Sequence, residues 1–188
     1  MIHSFSTRLI DHTIDYDGTQ LAPHWIYRQF DLLGDTIVAF VGKANVPISH
    51  MVDLEDVKSN APIYSPEMLH FIGEWFIDSL DTGIFLQHHL INVVYGHLWE
   101  AGATRLSRRG NDIYFDGRKL NVSIATHSLS SCLMHLGVNI CTNGTPVPTS
   151  GLRELGIVPL DFAKKVLATF ASDIDGWRRS RAKVLPRP

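Results

Sequence analysis

The chain has 188 residues, of which 45% are hydrophobic, and its 17 Lys and Arg residues nearly balance 19 Asp and Glu residues. This composition is typical of a folded globular protein and excludes a disordered, fibrous or coiled-coil chain. A chain of this length buries about 70% of the surface that its unfolded form exposes, so it needs no disulfide or structural metal to fold.

The cysteines and the amino-terminal residues bear on the cellular compartment. Cys132 and Cys141 do not form a CxxC pair, and such sparse cysteines are typical of a reducing environment. The first residues lack a basic segment followed by an apolar one, and no apolar run reaches the about 20 residues that cross a bilayer. We therefore expect a cytoplasmic protein with no membrane partner.

The near-zero net charge combines two regions of opposite sign. The last thirteen residues contain five basic residues and no acidic one, whereas acidic residues outnumber basic ones in the rest of the chain. We expect a single domain over residues 1–177 and a basic tail over 178–188. Such a tail can bind nucleic acid or serve only solubility, and the acidic body disfavours broad binding to duplexes.

The first part of the chain predicts mainly strands. Pro23 can begin a short helix that Gly34 ends. Runs rich in apolar and β-branched residues, bounded by turn residues, predict three strands, over 5–16, 35–41 and 48–57.

Two helices are predicted next. Ser65, Pro66 and Glu67 resemble a helix cap, a first helical position and a first-turn acid. Apolar residues then recur at helical spacing. We therefore predict a helix over 66–80 and a second helix over 84–100, which a glycine ends.

The second half returns to strands and closes with helices. The Asp116-Gly117 turn predicts a hairpin over 111–127. A further strand over 132–140, a short helix over 152–155 and a longer helix over 159–177 complete the chain. This order of elements predicts an α+β fold with a mixed, mostly antiparallel sheet and helices on one face.

Alternating side chains on the hairpin and the next strand indicate a candidate site. Apolar residues of the second hairpin arm are predicted to face the core: Leu120, Val122 and Ile124. Polar residues are predicted to share the opposite, open face of the sheet: Lys119, Asn121, Ser123, His135 and Asn139. This face is either the floor of a pocket or the solvated outer surface of an antiparallel sheet.

Three segments resemble biotin protein ligases and lipoate ligases. Residues 111–120 (NDIYFDGRKL) resemble the ligase stretch in which an Asn-Asp pair and a strand lead through a turn into Arg-Lys-Leu. Residues 135–140 (HLGVNI) are similar to the ligases' Gly-Ile-Asn strand, and 152–157 (LRELGI) to the segment after it. The resemblance implies a ligase-like core, shared more distantly with class II aminoacyl-tRNA synthetases.

The whole chain is similar to an uncharacterised, mainly archaeal family of unknown function, family 366. The segments that carry this similarity are 16–21 (YDGTQL), 50–57 (HMVDLEDV), 64–71 (YSPEMLHF) and 117–126 (GRKLNVSIAT). The family supplies no activity, but it supports the ligase-like fold.

The ligase resemblance implies roles for the candidate residues. Lys119 matches the lysine that contacts the acid substrate and its acyl-adenylate, and Arg118 belongs to the same motif. Asp112 would either help to orient the site or cap the hairpin. In the hypothesis of a site on the open face, Asn121, Ser123 and Asn139 would orient the substrate, and His135 would be a proton carrier near neutral pH.

The cofactor remains open. Residues 42–50 contain neither of the glycine- and arginine-rich loops that the ligases place over the nucleotide, and ATP is therefore a candidate cofactor without its usual phosphate cradle. No metal site is predicted, because no HExxH or similar ligand spacing occurs.

The leading hypothesis is a ligase-like protein that binds a small anionic or heterocyclic ligand on the open face, with acyl or nucleotidyl transfer as its enzymatic form. A non-catalytic binding module of the same fold and an RNA-associated protein are the alternatives. A homodimer could close the open face.

Overall fold

The computed structural model describes residues 5–187. Residues 1–4, where no targeting signal is predicted, and Pro188, the end of the predicted tail, lie outside the described residues. In chain order the elements are β1 (Ser6–Leu9), α1 (Trp25–Phe30), β2 (Thr36–Val46), a 3-10 turn (Ile48–His50), α2 (Leu54–Ser59), β3 (Ile63–Trp75), α3 (Leu80–Glu100), β4 (Leu106–Arg109), β5 (Asp112–Phe115), β6 (Arg118–Lys119), β7 (Asn121–His127), β8 (Cys132–Cys141) and α4 (Pro159–Lys183).

A five-stranded mixed sheet with the strand order β1-β2-β3-β8-β7 forms the centre of the fold. β1 runs parallel to β2, and the other neighbouring strands are antiparallel. A second sheet of three short strands, β4, β5 and β6, lies in the chain between α3 and β7. The predicted α+β fold with a mostly antiparallel sheet is confirmed.

The two long helices cover one face of the large sheet. Leu90 and Val94 of α3 and Phe170 of α4 are buried with Leu69 of β3 and Leu136 of β8 in the main core. Full burial of each such side chain contributes about 1.5 to 3 kcal/mol. The main core therefore holds both helices against the sheet.

The opposite face of the sheet carries a smaller core. The segment between β1 and β2, which includes α1, lies over this face and contributes Ile10, Tyr16 and Ile26. These side chains pack with Phe40 of β2 and Ile72 of β3. The face predicted to be open is therefore covered over β2 and β3, and a cavity remains beside β7 and β8.

The predicted helix over 66–80 is wrong, because these residues form most of the central strand β3. β3 pairs with β2 on one edge and β8 on the other and is buried on both faces. Its apolar residues are nearly continuous, so they also satisfy helical spacing. Pro66 needs no ladder partner, because it lies at the register shift between β2 and β3 and precedes the residues of β3 that pair with β8.

The predicted strand over 48–57 is also wrong. The segment folds into the 3-10 turn and α2. The carboxylate of Asp53 accepts hydrogen bonds from the backbone N–H groups of Glu55 and Asp56. Asp53 is therefore a helix cap, followed by acids in the first turn, which is a standard helix start.

Other boundaries differ by smaller amounts. Within the predicted strand over 5–16, only Ser6–Leu9 forms β1, while Tyr16 makes an isolated bridge to Ala44. The predicted short helix over 152–155 consists of turns. The Asp116-Gly117 turn forms with both residues at positive φ, but it joins β5 to β6, and β7 leaves this hairpin to pair with β8.

The long helices extend beyond their predicted limits. α3 begins at Leu80, and α4 continues past Trp177 to Lys183. The first residues of the basic segment are therefore helical, and Arg178 lies 2.6 Å from the carboxylate of Asp35. None of the helices within residues 5–187 is both long and apolar enough to cross a membrane.

Gly42 lies where β2 and the segment before α1 approach each other closely. Ile14 and Tyr16 donate backbone hydrogen bonds to β2 at Val41 and Lys43, and a Cβ atom on Gly42 would lie 1.8 Å from the Ile14 carbonyl oxygen. We expect Gly42→Ala to lower the free energy of unfolding by about 1 to 3 kcal/mol in denaturant titrations.

Gly96→Ala is the matched control, because Gly96 lies on the exposed side of α3 with open space around its Cβ position. This change should raise the free energy of unfolding by about 0.5 to 1 kcal/mol. Equal stability of the two variants would contradict the described contact.

Candidate functional site

A cavity of about 250 Å³ lies between the 49–56 region and the strands β6, β7 and β8. Val122 and Ile124 of β7 form part of its apolar wall. Among the described residues that line it, four side chains carry a carboxylate and one carries an ammonium group: Asp53, Glu55, Asp56, Asp112 and Lys119. Tyr16, His50 and His135 also line it.

Lys119 and Asp112 form an ion pair at the edge of the cavity. The Lys119 Nζ atom lies 3.0 Å from Asp112 Oδ1, and the two side chains are 32% and 24% exposed. The backbone of Lys119 is held as well, because its N–H donates to Pro148 and its carbonyl accepts from Ser150. The ammonium group therefore already has a carboxylate partner in a fixed place.

The first turn of α2 adds negative charge to the same cavity. Burial raises the pKa of Asp56, and repulsion from Asp53 adds to this effect, whereas attraction to Lys119 opposes it. Lys119 interacts with Asp56 as well as with Asp112. Its single positive charge is therefore shared between these two acids.

Two buried histidines lie on the inner side of the cavity, where His135 lines it and His70 lies behind His135. His70 of β3 is fully buried and His135 of β8 is 2% exposed. His70 Nδ1 lies 3.0 Å from His135 Nε2, and His70 Nε2 lies 3.3 Å from the carbonyl oxygen of Gly42. The ring of Tyr16 stacks on His135 with centroids 3.9 Å apart.

Burial keeps these rings uncharged. It lowers the pKa of His70 from 6.5 to about 4, and burial together with the neighbouring His70 lowers the pKa of His135 well below its usual value. Burial also raises the pKa of Tyr16, so its phenol stays protonated. At neutral pH the inner side of the cavity is therefore polar without being charged.

A second cavity of about 180 Å³ adjoins the first. The two share four lining residues, Asp56, Ile63, Lys119 and Val122. Asn121 and Asn139 line this second cavity. Lys119 therefore lies between two small cavities.

The structure brings most of the predicted site residues together. Lys119, Asp112, Ser123 and His135 line the first cavity, and Asn121 and Asn139 line the second. Arg118 lies elsewhere, because its guanidinium forms an ion pair with Glu154.

The predicted polar face of β7 is a partial error. Val122 and Ile124 line the cavity, whereas the Ser123 hydroxyl accepts a hydrogen bond from Gln87 of α3. The Asn121 side chain accepts from the Ile113 N–H and donates to the Asn111 carbonyl, which is a structural role. The alternation fails because β6 and β7 belong to different sheets and Leu120, between them, breaks the strand.

Several site residues escape the sequence analysis. Tyr16, His70 and Asp56 are far from the hairpin in the sequence and reach the cavity region only through the fold. The only local signal is for Asp56, which follows the cap residue Asp53.

The phase of Cys132 in its predicted strand predicts a buried thiol. This is confirmed, since Cys132 is buried and burial raises the pKa of its thiol.

The described residues do not favour a metal ion or a triphosphate at this site. Within residues 5–187, no three His, Cys, Asp or Glu side chains are grouped so that they could hold a metal ion. Residues 42–46 are the end of β2, not a glycine loop, and the four carboxylates would repel a nucleotide phosphate.

Comparison with known proteins places the chain among uncharacterised relatives. The family described as Domain of unknown function (DUF366) matches residues 5–185. An uncharacterized protein of Methanocaldococcus jannaschii is 34% identical over 92% of this chain and 81% of its own length. A solved protein of unknown function from Pyrococcus horikoshi is 40% identical, with a TM-score of 0.94 over 98% of this chain and 100% of that one.

Ligases share the fold at low sequence identity. A biotin protein ligase from Aquifex aeolicus in complex with biotin and ATP has a TM-score of 0.61 at 17% identity, over 90% of this chain and 73% of that one. A putative lipoate protein ligase from T. acidophilum with bound lipoic acid has a TM-score of 0.56 at 15% identity, over 89% and 84%. The predicted ligase-like fold is confirmed.

The buried histidines predict a pH-dependent stability. Between pH 6.5 and about 4, unfolding lets His70 take up a proton that the folded protein excludes. Its contribution is complete above pH 6.5 and is lost as the pH falls, by about 2 kcal/mol from about pH 7.5 to about pH 5. Denaturant unfolding at both pH values measures the total loss, to which the lowered pKa of His135 adds, and a variant without the His70 ring isolates the part that belongs to His70.

His70→Gln replaces the ring with an amide that does not titrate. We expect this variant to be less stable at neutral pH but to lose about 2 kcal/mol less than the wild type on acidification. Equal losses in the two proteins would show that His70 is not held neutral.

Proposed function

The chain belongs to the family described as Domain of unknown function (DUF366), and we propose that it binds a small heterocyclic molecule in the cavity beside β7 and β8. The observation that carries this proposal is that Lys119, Asp112 and His135 line one cavity with the apolar residues Val122 and Ile124. Small-molecule sites likewise combine apolar walls with a few polar groups that fix orientation.

The size of the cavity supports a small ligand. Its volume of about 250 Å³ is just below the roughly 300 to 1,000 Å³ of common ligand pockets. The adjoining cavity of about 180 Å³ extends the available space past Lys119. A heterocycle with a short substituent would fill the two.

The charges of the cavity favour the heterocyclic ligand over the anionic one. An anion would enter a cavity lined by four acidic residues and by one ammonium group that is already paired with Asp112. Like charges that lie close together repel strongly when they are partly buried. A neutral or positively charged ring avoids this cost.

The ligases of similar fold support the proposal only in outline. Two of these ligases have been solved with small molecules bound, one with biotin and ATP and the other with lipoic acid. Nucleotidyl transfer from ATP to an acid, and acyl transfer from the resulting acyl-adenylate, suit this cavity poorly, because its acidic residues would face the phosphates. We therefore propose ligand binding, and not adenylation, as the activity of the site.

Lys119→Ala tests the proposal with Lys58→Ala as the matched control, because Lys58 is an exposed lysine of α2 outside both cavities. The panel contains biotin, lipoate, octanoate, adenosine and ATP, studied by calorimetry and thermal shift. We expect adenosine, the neutral heterocycle of the panel, to bind the wild type and Lys58→Ala. It should bind Lys119→Ala at least about tenfold more weakly, because the Lys119 side chain lines both cavities and its ion pair holds the Asp112 carboxylate in place.

Loss of binding is interpretable because the fold should tolerate the change. The Lys119–Asp112 pair is partly exposed, and such pairs contribute at most about 1 kcal/mol to stability. Unchanged binding by Lys119→Ala would contradict the assigned site. Tight binding of ATP would contradict the argument from charge.

A further inference from the structure

The hydrogen bonds of the two buried histidines fix which nitrogen atoms carry protons. A carbonyl oxygen only accepts, so His70 Nε2 must donate to Gly42. A neutral imidazole has one N–H, and His70 Nδ1 is therefore an acceptor. His135 Nε2, 3.0 Å away, must then be the donor to it, which leaves His135 Nδ1 without a proton.

Both rings have to be neutral for this sequence of hydrogen bonds, and their surroundings keep them so. Tyr16 and Phe40 stack against the histidines, and burial lowers the pKa of each ring. The charge of Asp15 raises the pKa of His70 and so opposes the effect of burial. It is the weakest of the three influences on this pKa, after burial and the hydrogen bond to Gly42.

His135 Nδ1 is available to a ligand. His135 is 2% exposed and lines the cavity. Within residues 5–187 the hydrogen bonds of its ring involve only Nε2. An acceptor without a protein partner is satisfied only when a bound molecule or water donates to it.

The charged groups of the cavity mostly accept hydrogen bonds. The carboxylates of the four acidic residues accept only, while the ammonium group of Lys119 is bound to Asp112. The hydroxyl groups of Tyr16 and Ser123 can donate or accept. A ligand that supplies donors therefore finds more partners than one that supplies acceptors, and a positive charge would be stabilised by the surrounding acids.

We propose that this cavity selects a heterocycle bearing an amine or amidine group, which donates an N–H to His135 Nδ1 and places its remaining donors near Asp112 and Asp56. This inference rests on the proposed function and names the chemical class of its ligand. His70 acts as a positioning residue, because it orients the proton of His135 without lining the cavity itself.

Nitrogen-15 NMR of the histidine side chains tests the proton positions in the full chain without any ligand. At neutral pH, His135 Nδ1 should have the chemical shift of an unprotonated nitrogen and Nε2 that of a protonated one. A proton on Nδ1 would overturn the inference. In His70→Gln, whose side chain can either donate or accept, the preference for one tautomer should weaken.

Benzamidine and benzoate test whether the cavity requires a donor on the ligand, because they share a benzene ring and differ in having a cationic donor or an anionic acceptor. We expect benzamidine to shift the His135 Nδ1 signal and benzoate to leave it unchanged. Asp112→Asn should weaken the binding of benzamidine by at least about threefold. Asp175→Asn, at an exposed position of α4, should leave this binding unchanged. Preference for benzoate would overturn the inference.

The outcomes separate this inference from the proposed function. If His135 Nδ1 carries a proton, but a panel compound binds the wild type and not Lys119→Ala, the inference about donor recognition is wrong and the proposed binding site stands. If neither benzamidine nor any panel compound binds in the cavity, the inference and the proposed function are both wrong, whichever nitrogen of His135 carries the proton.

Discussion

β3 pairs with β2 along one edge and with β8 along the other, so its 13 residues lie in the middle of the sheet and are largely buried. Leu69 and Phe71 project into the main core under α3 and α4. Residues of the opposite phase, His70 and Ile72, lie under the segment that contains α1. Any polar group on this second side must find its partners inside the protein, and this constraint shapes the site.

His70 meets that requirement through two contacts, one with the Gly42 carbonyl and one with His135. The same contacts transmit a directional hydrogen bond from the interior of the sheet to the cavity. The cavity then combines a neutral acceptor from β8 with the acids of α2 and β5. Our proposal that the cavity favours ligands that donate hydrogen bonds over ligands that carry phosphate follows from this arrangement.

Local sequence signals predict the elements that depend on local interactions. α3, α4, β8 and the Asp116-Gly117 turn follow from spacing, capping and turn residues. β3 does not, because a strand buried on both faces lacks alternation and its Pro66 imitates a helix start. The ligase resemblance predicts the position of Lys119, and the strand phase that of His135. The partners His70 and Tyr16 come from distant segments, so no local pattern reveals them.

The most direct measurement is a crystal structure of the protein with the tightest-binding compound of the panel or with benzamidine. The account predicts that the ligand occupies the cavity between α2 and β7, with a donor nitrogen about 3 Å from His135 Nδ1 and a further donor at Asp112. A ligand bound outside this cavity, or one that presents a carboxylate to a freed Lys119 and an acceptor to His135, would contradict it.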